Sequence, residues 1–469
     1  GPGADVAWFR LGQIRQEQKQ FDAAIDAFAK CVAAQPAGPR APWALLATGW
    51  CHDAQGRLAE AAAAWTRVID GAGASSTLPA ALLARGDCRR RQRDFAGGLA
   101  DAQRLLAAAR DKAAKIEPSA VGEARFLEGL CLVGEKKYAQ AAAAFRRLLD
   151  EQPRFATADQ VLLELGLAQV LDGKPAEASA TFADLVKRFP KSGCAAEAWT
   201  EIGESRWAAG DWAAAADAYG SAIAAADATG GAGGPVAEQA RHKLAWTFVR
   251  RDDHAAAARE FAAQVKACPD GPLAVDARAL LGAELLLCDD LDGASAALDA
   301  ALAAGPRLSP ELRGLTVVRA AEAAARREKW DRSLEIAEGF LKDAPDSPQA
   351  AQVRYAAAWA RQNLGRLDEA LAGYRAVADA ARTEIAARAR LMEGEVLFEQ
   401  GNHKDAIKAF FKTAYGFGET KAPRPFHPWQ AQATYEAARC FEVLRQADQA
   451  RKLYAELVDR YPDSEHVAA

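Results

Sequence analysis

The stretch from Trp8 to Pro36 decides the fold, and it reads WFRLGQIRQEQKQFDAAIDAFAKCVAAQP. Apolar residues recur at helical spacing on both sides of its Gln-Lys-Gln segment, which predicts two antiparallel helices joined by a short turn. Gly12 and Ala24 are small, so the two helix backbones can approach each other, and Phe28 fills the space beside them. Pro36 ends the second helix because its ring cannot continue the backbone hydrogen-bond ladder.

The same unit recurs along the chain, and the small residue of each second helix serves as a register mark. Six of the eleven intervals between successive marks are 37 residues and one is 36. Glycine or alanine stands twelve residues before each mark, and an aromatic ring usually stands four residues after it. Three coincident series indicate a helical repeat array. The marks are Ala24, Ala61, Gly98, Ala141, Ala178, Ala215, Ala257, Ala294, Ser333, Ala370, Ala406 and Ala450.

The longer intervals between marks predict extended connections that contain Gly or Pro. They lie near residues 110–122, 226–236, 303–313 and 415–430. The last connection is rich in aromatic residues and prolines, and two interpretations stay open: it closes its own hairpin, or it contacts a partner. Residues 1–4 are interpreted as the remnant of a cleaved tag, and residues 5–469 as one continuous array.

Composition argues against two classes of partner. The 469 residues include 59 basic and 63 acidic side chains, for a formal net charge of -4, and no basic footprint for nucleic acid is present. No apolar run approaches the about 18 residues that a bilayer-spanning helix needs. We therefore expect neither nucleic-acid binding nor direct membrane insertion.

The eight cysteines point to packing rather than to chemistry. Cys51, Cys88, Cys131 and Cys440 stand two residues after the small residue of a first helix, in one shared slot where a thiol acts as a small hydrophobe. Equivalent slots of adjacent repeats lie about 10 Å apart, beyond disulfide reach. No metal-binding cluster, phosphate-binding loop or nucleophile motif is found. The sequence thus predicts no catalytic residue, no metal and no cofactor.

The spacing Trp-x2-Leu-Gly, Ala-x3-Phe and Pro in residues 8–36 resembles the tetratricopeptide (TPR) repeat, although Arg15 stands where that repeat carries Tyr. The resemblance extends over essentially the whole chain. It implies an all-α fold, namely a right-handed α-solenoid of about twelve TPR-like helical hairpins. It also implies an adaptor that binds protein or peptide segments.

Short junctions between hairpins resemble those of bacterial cell-envelope TPR proteins. The junction Tyr461-Pro462-Asp463-Ser464 resembles that of the Tol–Pal-associated division coordinator type, and the segment Trp429 to Glu442 resembles planctomycete-type TPR proteins. These resemblances imply a periplasmic or cell-envelope location, with a cytoplasmic location as the alternative.

In TPR proteins, three positions of each first helix line a concave groove: three residues before the small residue, one after it and four after it. In this chain those positions are unusually aromatic. Two interpretations stay open, because the rings could bind a partner or only fill a tightly wound superhelix. The candidate partner-binding residues are Phe9, Leu46, Trp50, Phe126, Leu130, Trp207, His242, Trp246, Tyr355, Trp359, Phe398 and Tyr435. Leu83, Asp87 and Arg90 occupy the same three positions in the third hairpin.

The sequence therefore predicts a non-catalytic protein–protein interaction scaffold or adaptor that binds a protein segment in an aromatic-lined concave groove, with a role in bacterial envelope assembly. The alternative is an accessory recognition module of a larger enzyme or regulator whose catalytic or DNA-binding domain lies outside this sequence. Self-association through terminal repeats is a further expectation, because uncapped repeats expose apolar faces.

Overall fold

The protein has an all-α fold in the computed structural model. The residues described are 3–71, 76–111, 115–418 and 422–468. All regular secondary-structure elements in those ranges are helices, and none is a β-strand. None of the described helices is long and apolar enough to cross a membrane. The predicted all-α class is therefore confirmed.

The chain divides into two compact units, Gly1–Ala232 and Gly233–Ala469. Each unit is a stack of helical hairpins in which successive helices pack against each other. Together the described parts of the two units contain twelve hairpins, the number expected from the register marks. The single continuous array over residues 5–469 stays a prediction.

The described part of the first unit consists of six antiparallel hairpins, and most of its helices have 14 residues. The helices are α1 (Ala4–Glu17), α2 (Phe21–Ala34), α3 (Ala41–Ala54), α4 (Leu58–Gly71), α5 (Leu78–Arg91), α6 (Phe95–Ala108), α7 (Pro118–Gly134), α8 (Tyr138–Glu151), α9 (Ala158–Leu171), α10 (Pro175–Arg188), α11 (Ala195–Ala208) and α12 (Trp212–Ala228).

The described part of the second unit consists of six hairpins and a short final helix, with 3-10 turns at Gly305–Arg307 and Arg424–Phe426. The helices are α13 (Pro235–Val249), α14 (His254–Ala267), α15 (Ala274–Leu287), α16 (Leu291–Ala303), α17 (Pro310–Arg326), α18 (Trp330–Asp343), α19 (Ala350–Asn363), α20 (Leu367–Ala380), α21 (Glu384–Glu399), α22 (His403–Ala414), α23 (His427–Val443), α24 (Ala447–Arg460) and α25 (Glu465–Ala468).

The glycine of the first helix makes room for a ring of the second helix. A Cβ atom on Gly12 would lie 2.4 Å from the Phe28 ring, which is completely buried. Gly12 therefore serves ring packing rather than the backbone approach expected from the sequence. Backbone approach does occur in the third hairpin, where a Cβ atom on Gly98 would lie 2.8 Å from the Gly86 carbonyl oxygen.

Proline shortens three of the four predicted connections. Pro118, Pro235 and Pro310 each take the first position of a helix, where the missing N–H costs no hydrogen bond and the fixed φ suits the helix. The sequence interpretation placed these prolines inside extended segments, and the structure begins helices there instead. Parts of the interpreted tag remnant and of two connections, residues 1–2, 112–114 and 419–421, lie outside the described residues.

Each hairpin turn holds the residue five positions before the register mark in the left-handed backbone conformation. Glycine takes this position in five of the twelve described hairpins, as at Gly173 with φ of 75°. The other seven hairpins have a side chain there, as at Lys136 with φ of 60°. Such a residue costs roughly 1–2 kcal/mol, because its Cβ atom crowds the following carbonyl oxygen.

Lys136→Gly is therefore expected to stabilise the protein by roughly 0.5–1 kcal/mol, since relief of the left-handed strain exceeds the added chain entropy of glycine. Gly173→Ala, at the same position of the next hairpin, is expected to destabilise it by roughly 1 kcal/mol. Urea denaturation followed by circular dichroism measures both changes. Two changes of the same sign would contradict this account of the turns.

The cysteines of the shared slot are buried free thiols. Burial raises the pKa of Cys51 to about 11 and that of Cys131 to about 12, because a thiolate is poorly solvated inside the protein. Such thiols are unreactive at neutral pH. Their role is packing between hairpins, as the sequence predicts.

Candidate functional site

The candidate groove residues are divided between the two units, and all lie on first helices of hairpins. The first unit holds Phe9 on α1, Leu46 and Trp50 on α3, Phe126 and Leu130 on α7, and Trp207 on α11. The second unit holds His242 and Trp246 on α13, Tyr355 and Trp359 on α19, Phe398 on α21, and Tyr435 on α23.

A large cavity in the first unit brings three of these residues together. Its volume is about 1690 Å³, and Trp50, Phe126 and Leu130 all line it. Leu83 of α5 adds a further apolar side chain to the wall. Trp50 is 42% exposed, so its indole has free surface that a ligand could cover.

Helix α5 contributes two charged residues, Asp87 and Arg90, to the lining of the cavity. The Asp87 carboxylate accepts hydrogen bonds from Arg90 Nη2 at 2.8 Å and from Arg91 Nε at 3.1 Å. Arg91 also pairs with Asp53 of α3. The charged residues of α5 therefore belong to a network that joins two adjacent hairpins.

A buried ion pair holds α5 against α6. In this hairpin Ala102 stands where most hairpins carry an aromatic ring. Arg85 donates to the Asp101 carboxylate from Nε at 2.9 Å and from Nη2 at 2.5 Å, and Arg89 Nη1 donates to it at 3.0 Å. The Asp101 side chain is 3% exposed. This network fixes the orientation of α5, and with it the cavity wall.

Two large apolar residues outside the helices also line the cavity, and the helical register did not indicate them. Ile116 precedes α7, and Phe155 follows α8. Phe155 packs closely on α7, because a Cβ atom on Gly122 would lie 2.5 Å from its ring. Gln152 Nε2 also donates to the Pro118 carbonyl oxygen at 2.8 Å. The one available signal was a large aromatic residue in a junction that otherwise carries polar and small residues.

Most other candidate rings pack against a ring of their own hairpin. The ring-centroid distances are 5.9 Å for Phe9–Phe28, 5.8 Å for Phe126–Phe145, 5.5 Å for Tyr355–Tyr374 and 6.0 Å for Tyr435–Tyr454. Leu46 is completely buried, and its carbonyl oxygen accepts the Trp65 indole N–H at 3.2 Å. These contacts support the packing interpretation for Phe9, Leu46, Tyr355 and Tyr435. Phe126 makes such a contact and also lines the cavity, and Trp50 is the most exposed candidate.

Three further candidates lie edge-on or tilted against the ring that closes their own or the neighbouring hairpin. The centroid distances are 4.8 Å for Trp207–Trp212, 5.3 Å for Trp359–Trp330 and 4.9 Å for Phe398–His403. All three are half-buried, so part of each ring stays accessible. Aromatic pairs of this kind add about 0.5–1.5 kcal/mol beyond area burial.

Arginines cover several candidate rings in the second unit. Arg388 lies 4.7 Å from the Tyr355 ring centroid. Arg439 lies 5.7 Å from the Phe398 centroid and 6.0 Å from the Tyr435 centroid. Cation–π attraction of this kind satisfies ring faces within the protein itself. These rings are therefore less available to a ligand than Trp50 is.

Glu395 lies on the same helix as Phe398 and carries an unusual carboxyl group. Burial raises its pKa to about 7, the charge of Glu436 adds to the rise, and Arg439 opposes it. Gln432 Nε2 lies 3.4 Å from Glu395 Oε1. An ionised Glu395 is consequently an energetic cost to the folded second unit.

His242 is held in one tautomer on α13. Trp246 Nε1 donates to His242 Nε2 at 3.1 Å, so the neutral imidazole carries its proton on Nδ1, which lies 3.2 Å from Gln264 Oε1. Burial lowers the pKa of His242, Gln264 and Asp276 oppose the lowering, and Lys243 adds to it. A proton on His242 Nε2 would place this N–H against the indole N–H of Trp246. Two donors would then face each other, and the hydrogen bond with Trp246 would be lost.

Acidification is therefore expected to weaken the second unit through His242. The pKa of His242 in the folded state lies below the unfolded value of about 6.5. The stability that the neutral imidazole contributes is therefore fully present above about pH 6.5 and is lost as the pH falls. In His242→Gln, the free energy of unfolding should decrease less than in the wild type between about pH 7.5 and about pH 5. Urea denaturation at both pH values tests this, and equal decreases would contradict it.

Comparison with known families identifies the class of protein. Models described as tetratricopeptide repeat match residues 7–77, 83–154, 163–232, 355–428 and 432–464. These matches cover more than half of the chain, so the chain belongs to the tetratricopeptide repeat family. A search among curated proteins finds no significant match.

Solved structures that are similar to this chain have low sequence identity to it. A tetratricopeptide repeat protein from Parabacteroides merdae has 15% identity and a TM-score of 0.41, covering 60% of this chain and 99% of that one. The C-terminal part of a TPR protein from Cytophaga hutchinsonii has 15% identity and a TM-score of 0.46, covering 57% and 98%. Yeast Tom70 has 13% identity and a TM-score of 0.34, covering 96% and 98%.

Proposed function

We propose that this protein is a non-catalytic protein–protein interaction scaffold that binds a polypeptide segment in the cavity of its first unit. The main support for this proposal is that the apolar side chains of four residues line one open cavity, namely Trp50, Leu83, Phe126 and Leu130. Membership of the tetratricopeptide repeat family supports a protein partner, since such proteins are generally adaptors.

The size of the cavity favours a polypeptide over a small metabolite. Its volume of about 1690 Å³ exceeds the roughly 300–1,000 Å³ of typical small-molecule sites. Tryptophan is enriched among the residues that dominate binding energy at protein interfaces. A partner side chain that covers the exposed part of Trp50 would make it such a residue.

Selection of random dodecapeptides displayed on phage, with the full chain as bait, tests the proposal. Trp50→Ala should reduce the affinity for the enriched peptides by about tenfold or more, which is about 1.4 kcal/mol. Because Trp50 is 42% exposed and lies outside the fully buried core, the variant should keep its helical content. Trp43→Ala is a matched control, since Trp43 is 44% exposed on the same helix but does not line the cavity. Equal losses in both variants would contradict the proposed site.

A role in bacterial envelope assembly is proposed from the junction motifs alone, such as Tyr461-Pro462-Asp463-Ser464. The rival proposal, an accessory module of a larger enzyme or regulator, uses the same cavity. Fractionation of cells that express the full-length gene product distinguishes them. Envelope association supports the first, and a covalently attached catalytic or DNA-binding domain supports the second.

Self-association through α1 is also part of the proposal. Ile14 is 50% exposed at the slot where buried Cys51 and Cys88 stand in later hairpins, and Val6 is 37% exposed on the same helix. Sedimentation of the wild type and Ile14→Gln tests it. A concentration-dependent dimer lost in the variant supports it, and a monomer throughout contradicts it.

A further inference from the structure

A row of lysines lies on the solvent-exposed side of α22 in the second unit. Lys404, Lys408 and Lys412 follow each other at i, i+4 and i+8 spacing, which places them on one side of the helix. All three side chains are exposed. The row extends over about 12 Å, because each residue adds about 1.5 Å along a helix. We call these three residues the lysine stripe.

Nearby carboxylates do not balance the charge of the lysine stripe. Lys408 pairs with Asp405 at 2.9 Å, and the two side chains are 74% and 59% exposed. The carboxyl of Asp379 on α20 has a lowered pKa, mainly because Arg390 forms a hydrogen-bonded ion pair with it, and Lys412 adds a smaller effect. In the part of the chain that the structure describes, the two other lysines of the stripe form no ion pair and no hydrogen bond. The stripe therefore keeps a net positive charge.

Helix electrostatics explain only one end of the lysine stripe. Lys412 lies in the last turn of α22, where the partial negative charge of the helix terminus stabilises a cation. Lys404 is the second residue of α22, where the partial positive charge of the other terminus disfavours a cation. Lysines four residues apart also repel each other. The stability of the helix alone does not account for the stripe, whereas a negatively charged ligand would.

An open cavity lies directly beside the lysine stripe. Its volume is about 530 Å³, and it is lined by Lys408, Phe411, Lys412, Tyr415 and Gly416. The rings of Phe411 and Tyr415 are half-buried, and their centroids lie 5.4 Å apart. A volume of this size lies within the roughly 300–1,000 Å³ of typical ligand sites, so it can accept one large side chain. The site thus combines two cations with two aromatic rings.

The last two hairpins hold both rings of this cavity in place. The Tyr415 hydroxyl donates to Glu456 Oε2 of α24 at 2.7 Å, and the Arg460 guanidinium lies 5.4 Å from the Tyr415 ring centroid. The Phe411 ring lies 6.2 Å from the ring of Phe441 on α23. Because the rings are fixed before a ligand arrives, binding loses little free energy to ordering them.

We infer that α22 docks an acidic segment of a partner protein, with a large apolar side chain in the cavity and Asp or Glu side chains on the lysine stripe. The site belongs to the second unit, whereas the cavity of the proposed function belongs to the first unit. It adds a second binding site to that function and does not depend on the first. Charge complementarity of this kind contributes selectivity and faster association, and it weakens as salt rises.

The surroundings of the lysine stripe favour a polypeptide over a membrane or a nucleic acid. Both alternatives present many negative charges over a wide surface. The stripe is only about 12 Å long, and it has the carboxylates of Asp379, Asp405 and Glu456 as neighbours. These carboxylates would repel a wide anionic surface, whereas a short segment can place its charges on the lysines alone.

Selection of random dodecapeptides displayed on phage, with the full-length Trp50→Ala variant as bait, tests the inference. This bait lacks the exposed indole of the first-unit cavity. Enrichment of Asp or Glu beside a large apolar residue is the expected result. Lys404→Gln combined with Lys412→Gln should weaken the enriched peptides by about fivefold, because each exposed ion pair contributes a factor of about two. Fluorescence anisotropy measures the affinities, and circular dichroism checks that the variant is folded.

The matched control is Lys187→Gln combined with Lys342→Gln, which removes the same charge from exposed positions on α10 and α18. This control should keep its affinity for the acidic peptides. Enriched peptides without acidic residues, equal losses in the two double variants, or no enrichment at all would overturn the inference. Tighter binding to phosphatidylserine vesicles or to a DNA duplex, lost in the lysine-stripe variant, would also overturn it.

Failure of this inference is distinguishable from failure of the proposed function. Peptides that occupy the first-unit cavity lose affinity in Trp50→Ala and keep it in the lysine-stripe variant. Peptides that occupy the α22 site show the opposite pattern.

Discussion

Asp101→Ala is expected to destabilise the protein by about 3–5 kcal/mol, because the Arg85 guanidinium would stay buried without its carboxylate. The side chains of Asp101 and Arg85 are only 3% and 9% exposed, so water cannot replace the lost partner. The hydroxyl of Thr66, 2.9 Å from Arg85 Nη1, carries no charge and compensates little. Urea denaturation of the wild type and the variant measures the loss.

Two controls isolate the buried charge. Asp22→Ala breaks the exposed pair of Asp22 and Arg57, whose side chains are 71% and 45% exposed, and should cost far less stability than Asp101→Ala. Arg85→Met combined with Asp101→Leu removes both buried charges and should cost far less than Asp101→Ala. Similar losses for Asp101→Ala and Asp22→Ala would show that the buried pair does not hold α5 in place.

Glu395→Gln is expected to stabilise the protein by roughly 2–3 kcal/mol above about pH 8. The reason is that burial raises the pKa of Glu395 from 4.5 to about 7. Because the folded state raises the pKa of Glu395, the contribution of this carboxyl group to stability is fully present below the unfolded pKa of 4.5. That contribution is lost as the pH rises through the folded-state pKa of about 7. The neutral amide of Gln avoids this loss and has nearly the same shape.

Urea denaturation across the pH range tests this second prediction. The difference between Glu395→Gln and the wild type should be near zero at about pH 4 and should grow to its full size above about pH 8. Glu399→Gln, at an exposed position near the end of the same helix, should follow the wild type at every pH. A constant difference at all pH values would argue for a packing effect instead of a buried charge.

The hairpins could be predicted from the sequence because their determinants are local and periodic. A small residue at the position of Gly12 and a large one at the position of Phe28 recur in most hairpins. Where both are present, they pack against each other within one hairpin, as Gly12 and Phe28 do. The turns were only partly visible: Gly173 signals a left-handed residue, whereas Lys136 adopts the same conformation without any compositional signal. Proline at Pro118 was misleading, because the same residue that interrupts a helix also begins one well.

The cavity could be predicted only in part, because it depends on contacts between hairpins. The register placed Trp50, Phe126 and Leu130 on first helices, and all three line it. The same register included Leu46, which is completely buried. Phe155 was not indicated, since it stands in a junction where no helical period applies. Periodicity identifies the helix face of a residue, but exposure depends on what the neighbouring hairpin places against it.

The most direct test of the account is hydrogen–deuterium exchange of the full chain with and without an enriched dodecapeptide, followed by mass spectrometry. If a segment binds in the cavity, exchange should slow in the stretches around Ile116 and Phe155, which line the cavity. Protection confined to the second unit, or no protection at a saturating peptide concentration, would contradict the account.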